Sequence, residues 1–66
     1  MLVQINGESR PVPAALSVAD LLTHLRLDAR MVAVELNRAV IKRAHYGNTP
    51  VADGDEIEIV AFVGGG

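Results

Sequence analysis

Apolar and polar residues alternate from the first position, MLVQIN, which sets Met1, Val3 and Ile5 on one side and Leu2, Gln4 and Asn6 on the other. This period of two is that of a half-buried strand. Asn6 and Gly7 then supply the positive φ angles of a tight hairpin turn. ESRPVP returns as a second strand, confined to an edge position because Pro11 and Pro13 each lack an N–H donor. At SVADLLTHL the period changes. Val18, Leu21, Leu22 and Leu25 fall on one helical stripe, with Ser17 as N-cap and Asp20 placed to reach back as a capping box. MVAVELN restores strand alternation, with Val32, Val34 and Leu36 opposed to Ala33, Glu35 and Asn37. After a turn at Asn37 and Arg38, AVIKR reads as a short fourth strand. HYGNTPVADGD is turn-rich, with Asp53 and Gly54 marking the bend into a last strand, EIEIVAFV.

The order strand, strand, helix, strand, strand, strand gives one helix with a single apolar stripe, which can be buried only against one face of a sheet. A two-layer α+β module follows, a mixed sheet of about five strands packed on one helix. The first and last strands alternate most cleanly and are expected side by side at the centre. Within the last strand, Ile57, Ile59, Ala61 and Val63 form one apolar face, expected to pack on Val18, Leu21, Leu22 and Leu25. We divide the chain into a folded domain, residues 1–63, and a flexible tail, residues 64–66.

Composition narrows the functional classes. The chain has 66 residues, half of them hydrophobic, which allows one small domain with little interior for an enclosed active site. With no cysteine there is no disulfide, thiolate nucleophile or cysteine-based zinc site. His24 and His45 are far apart in sequence without companion ligands, so no metal is expected. A net charge of -2 and only Tyr46 and Phe62 as aromatics argue against a nucleic-acid surface. No apolar run is long enough to span a bilayer and the N-terminus lacks the regions of a signal peptide, so no membrane partner and a cytoplasmic location are expected. Glu56 and Glu58 share one face of a strand without an acid–base partner and read as a surface. Arg38, Lys42 and Arg43 form a modest basic cluster around the second hairpin, read as solvated.

The remaining feature is the run GGG at positions 64–66, which follows the last strand without a polar linker. Glycine lacks Cβ, so such a segment can thread extended through a narrow cleft in another protein. A carboxylate at Gly66 would thus be presented a short distance from a rigid body. A carboxylate reacts only after an oxygen becomes a leaving group, as in an acyl adenylate, and no phosphate-binding G-x-x-x-x-G-K-[ST] motif exists here to make one. Activation would fall to another protein. A frayed end and a non-covalent interaction module remain alternatives.

NGE after the first strand, SVADLL opening the helix, RMVAVELN, DGDEIEIV and the terminal GGG together resemble the bacterial thiamine-biosynthesis sulfur carriers of the ThiS family, over essentially the whole chain. The resemblance implies a ubiquitin-like β-grasp fold and a carrier that is not itself an enzyme. Gly66 would be adenylated by the E1-like enzyme ThiF and converted to a thiocarboxylate, with Gly64 and Gly65 as the extended tail. Thiazole synthase, ThiG, would take the sulfur for the thiazole of thiamine, and a donor such as a cysteine desulfurase would supply it. No cofactor is expected on the carrier, since ATP is used by the activating partner. The small subunit of molybdopterin synthase shares the fold and the terminal glycines and stays open as an alternative. For docking, the outward side of the last strand turns from Glu56 and Glu58 to Val60 and Phe62 as it nears the glycines. Glu58, Val60 and Phe62 are therefore the expected partner-binding residues, unless Phe62 folds back over the sheet edge.

Overall fold

The computed structural model describes residues 1–62. The expected flexible tail, the domain boundary after residue 63 and the inward placement of Val63 lie outside the described residues. Five strands form one sheet: β1 (Leu2–Ile5), β2 (Glu8–Pro11), β3 (Val32–Leu36), β4 (Ala39–Ile41) and β5 (Glu56–Ala61), in the spatial order β2-β1-β5-β3-β4. One helix, α1 (Val18–His24), covers one face. The α+β, β-grasp-type expectation agrees with this, including the central position of β1 and β5, which pair in parallel at Gln4↔Glu56 and Ile5↔Ile57.

Local chemistry explains each element. The β1–β2 hairpin turns through Asn6 (φ 52) and Gly7 (φ 83), and the β3–β4 hairpin through Asn37 (φ 50) and Arg38 (φ 70). Both are two-residue turns with positive φ at each central position, whose twist matches that of paired strands. β2, with its prolines, lies at an edge as expected. At the helix start, Ser17 Oγ accepts from Asp20 N at 3.0 Å and an Asp20 carboxylate oxygen accepts from Ser17 N at 3.1 Å. This reciprocal bond satisfies donors that the first turn leaves free.

The core joins Val3 and Ile5 of β1, Val18, Leu21 and Leu22 of α1, Val32 and Val34 of β3, and Ile57 and Ile59 of β5, with Val12, Tyr46 and Val51 from the connections. Three expectations need correction. AVIKR is not all strand: β4 stops at Ile41, and Arg43–Asn48 form a 3-10 turn that carries Tyr46 into the core. A strand cannot make that inward bend, whereas the tighter helix can. Leu25 is only half-buried, because α1 ends at His24 and Leu25 is its C-cap. Ala61 is exposed for the same reason: the helix is too short to cover that end of the sheet.

β5 is the one strand held on both sides by asparagine side chains. Beyond Ile5, β1 turns away, and the Asn6 side chain takes its place: Asn6 Oδ1 accepts from Ile59 N at 2.8 Å and Asn6 Nδ2 donates to Ile59 O at 3.1 Å. At the other end, Asn37 Oδ1 accepts from Glu56 N at 2.9 Å, and Asn37 Nδ2 donates to an Asp55 carboxylate oxygen at 3.1 Å. The residue that each turn needs for its backbone also fixes the central strand.

Candidate functional site

The outward face of the sheet carries the exposed apolar surface expected beside the glycines. β3 and β5 pair antiparallel, with Ala33 opposite Val60 and Glu35 opposite Glu58. Continuing this register, Phe62 N donates to Met31 O at 2.8 Å, so Met31 lies beside Phe62. Val60 is 61% exposed, Phe62 55% and Met31 49%, which forms one apolar strip with Ala33 at the end of the sheet next to residue 63. Phe62 therefore does not fold back into the core. Contiguous exposed apolar side chains of this kind mark interaction surfaces.

Met31 reaches this strip through a local device. Asp28 caps the 3-10 turn Ala29–Met31, accepting from Arg30 N at 2.9 Å, from Arg30 Nε at 3.1 Å and from Arg30 Nη2 at 2.8 Å. The Arg30 side-chain bonds, followed by its backbone N–H, hold the Asp28 carboxyl at about 2, below the usual 3.8. Asp28–Arg30 is the only ion pair among the described residues. The Asp20 carboxyl is also lowered, by its backbone bond and then its side-chain bond with Ser17. Sequence reading did not find the Asp28 clasp or Met31, because their place depends on which residue ends opposite Phe62.

Behind the strip the face becomes acidic. Glu35 and Glu58 stand directly opposite one another, Glu56 follows on the same side of β5, and all three are exposed. Like charges in opposed positions are mildly destabilising. The structure thus brings Glu58, Val60 and Phe62 onto one surface. Gly64, Gly65 and Gly66 lie outside the described residues. His24 and His45 are both exposed on different elements, and no cluster of potential metal ligands exists among the described residues. Arg38, Lys42 and Arg43 are exposed, as expected of a solvated cluster. No helix among the described residues is long and apolar enough to cross a membrane.

A five-stranded mixed sheet wrapped on one helix, with the last strand at its centre, defines a ubiquitin-like β-grasp domain. The crystal structure of a thiamine biosynthesis protein (ThiS) from Geobacter metallireducens superimposes with a TM-score of 0.86 at 39% identity, covering the whole of both chains. The sulfur carrier protein ThiS of Bacillus subtilis is 42% identical over 50 residues, 76% of each chain. A thiazole synthase of Paramagnetospirillum magneticum is 47% identical over 66 residues, all of this chain and 20% of that protein. The chain thus spans one-fifth of that larger relative. The sequence profile of the ThiS family matches residues 3–66, and the chain belongs to that family, which includes small sulfur carrier proteins.

Proposed function

We propose that this protein carries sulfur for formation of the thiazole ring of thiamine, with Gly66 as the residue modified and Gly64 and Gly65 as the extended approach to it. A Gly66 carboxylate oxygen attacks the α-phosphorus of ATP on an E1-like activating enzyme of the ThiF type, and pyrophosphate leaves. A persulfide formed on a donor such as a cysteine desulfurase then displaces AMP at the carbonyl carbon to give an acyl disulfide. A second thiol attacks the donor-side sulfur of that disulfide, forming a new disulfide and releasing the thiocarboxylate. Thiazole synthase accepts that sulfur. On this reading the carrier binds no cofactor of its own, ATP being used by the activating partner, and it works in the cytoplasm.

The observation that carries the thiazole assignment is the Paramagnetospirillum magneticum thiazole synthase, whose chain contains a segment similar to all of this one. A carrier-like segment within the synthase polypeptide raises its effective concentration at the acceptor site, which is useful only when the two act together. The exposed Val60 and Phe62, flanked by Glu58 on the same face of β5, support a docking role for this end of the strand.

The test is loading. Protein incubated with ATP, an activating enzyme and a sulfur donor gains the mass of an oxygen-to-sulfur exchange at Gly66. Deletion of Gly66 abolishes this exchange, because the carboxylate then falls short by about 3.5 Å, one residue length. Normal loading of the deletion variant would refute the assignment of Gly66. Loaded protein that supports molybdopterin formation but not thiazole formation would refute the thiazole assignment.

A further inference from the structure

The helix side of the sheet carries a second surface at the same end as the docking strip. α1 is seven residues long and ends at His24, leaving the sheet uncovered beyond it. The result is an open groove of about 530 Å³. Its apolar lining comes from Ile5, Val32, Ile59, Leu25 and Leu27, and its mouth reaches Ala61. Two basic side chains, Arg10 and His24, also line it. Arg10 stands on β2 opposite Val3, and so points to the helix side of the sheet. Neither side chain makes a hydrogen bond or ion pair among the described residues, whose one ion pair is Arg30 with Asp28. An apolar floor rimmed by an unpaired guanidinium and an imidazole without a hydrogen-bond partner suits a ligand that is apolar at its centre and anionic at its rim.

The backbone adds a second feature. Phe62 N faces β3, where it donates to Met31 O, whereas Ile57 O accepts from Asn6 N on the β1 side. Strand alternation therefore turns the N–H and C=O of Ala61 toward the β1 side as well. The Asn6 side chain occupies the backbone groups of Ile59, and no strand continues past it. Ala61 thus presents an unpaired edge at the groove mouth, a position where an extended peptide can add to a sheet.

We infer that this groove is a second docking point, for an extended segment of a partner protein that carries a bulky apolar side chain next to a carboxylate. The apolar side chain fills the groove, the carboxylate meets Arg10 and His24, and the segment's backbone pairs with Ala61. The carrier then offers an acidic and apolar surface on one face of the sheet and a basic and apolar groove on the other. It can engage its two enzymes through different surfaces, or one enzyme through both. This inference rests on the proposed carrier function.

The experiment is calorimetric titration of the full chain against the purified activating enzyme and, separately, thiazole synthase. Arg10 is exposed on an edge strand and His24 on the last helical turn, so Arg10→Glu and His24→Glu are both compatible with the fold, to be checked by circular dichroism. Each is expected to weaken binding to at least one enzyme about tenfold at low salt, with a smaller loss at high salt, as screening of a charge pair requires. Arg10→Ala should fall between. Binding to both enzymes that stays within about twofold of the unmodified protein in all three variants would overturn the groove while leaving the carrier function standing. An unmodified protein that binds neither enzyme overturns both. Sedimentation that shows a dimer dispersed by Arg10→Glu would make a second copy the occupant and overturn the partner segment.

Discussion

Replacing Phe62 with alanine separates docking from folding, since the two draw on different parts of one side chain. Complete burial of a phenylalanine side chain is worth about 1.5–3 kcal/mol. Phe62 is 55% exposed in the free protein. The fold therefore draws on less than half of that value, about 1 kcal/mol, and a partner that covers the remainder gains about 1.5 kcal/mol. The backbone bond from Phe62 N to Met31 O is retained in the variant, so the register of β5 against β3 is unaffected. The expected outcome is a rise in Kd of about tenfold for the enzyme that docks on the sheet face, measured by calorimetry. Urea denaturation should show a loss of about 1 kcal/mol or less. Unchanged affinity for both enzymes, accompanied by a loss of stability above about 2 kcal/mol, would refute the reasoning and return Phe62 to the core.

Asn6→Gly keeps the positive φ of the hairpin turn and removes both side-chain bonds to Ile59, so urea denaturation should show a loss of about 1–3 kcal/mol that turn strain cannot explain. Asp28 has a folded-state pKa of about 2, below its ordinary 3.8, so its clasp contributes stability above about pH 4 that disappears as the pH falls toward 2. Asp28→Asn should flatten that part of the stability–pH curve, and an unchanged acid limb would show that the clasp does not form in solution.

What the sequence disclosed depended on whether the relevant chemistry was local. The Asn6-Gly7 turn, the Ser17–Asp20 box and the alternation of β1, β3 and β5 each involve neighbouring residues, and each is found in place. Val60 and Phe62 were legible because the outward side of β5 turns apolar where an ordinary surface would stay polar. Tyr46 was not legible as a core residue, since a single aromatic in a turn-rich stretch has no period to reveal which way it points. The second role of Asn6 and Asn37 was also hidden. Their turn function is read from adjacent residues, whereas the bonds to Ile59 and Glu56 span the fold. The groove arises from the difference in length between α1 and the strands beneath it, which no residue pattern states.

The central position of β5 also governs which parts of the molecule can open independently. The β1–β2 and β3–β4 hairpins are joined in the sheet only through β5, in the order β2-β1-β5-β3-β4. An edge strand can fray while the rest stays folded, but β5 cannot leave without separating the two hairpins and exposing Ile57 and Ile59. Its release is therefore equivalent to global unfolding. In native-state hydrogen exchange, the amides of Ile57 and Ile59 should exchange with the full unfolding free energy, and those of β2 and β4 with less. The strand that leads to the glycines then keeps one orientation throughout the lifetime of the folded molecule, so the direction of β5 is set by the cooperativity of the whole domain.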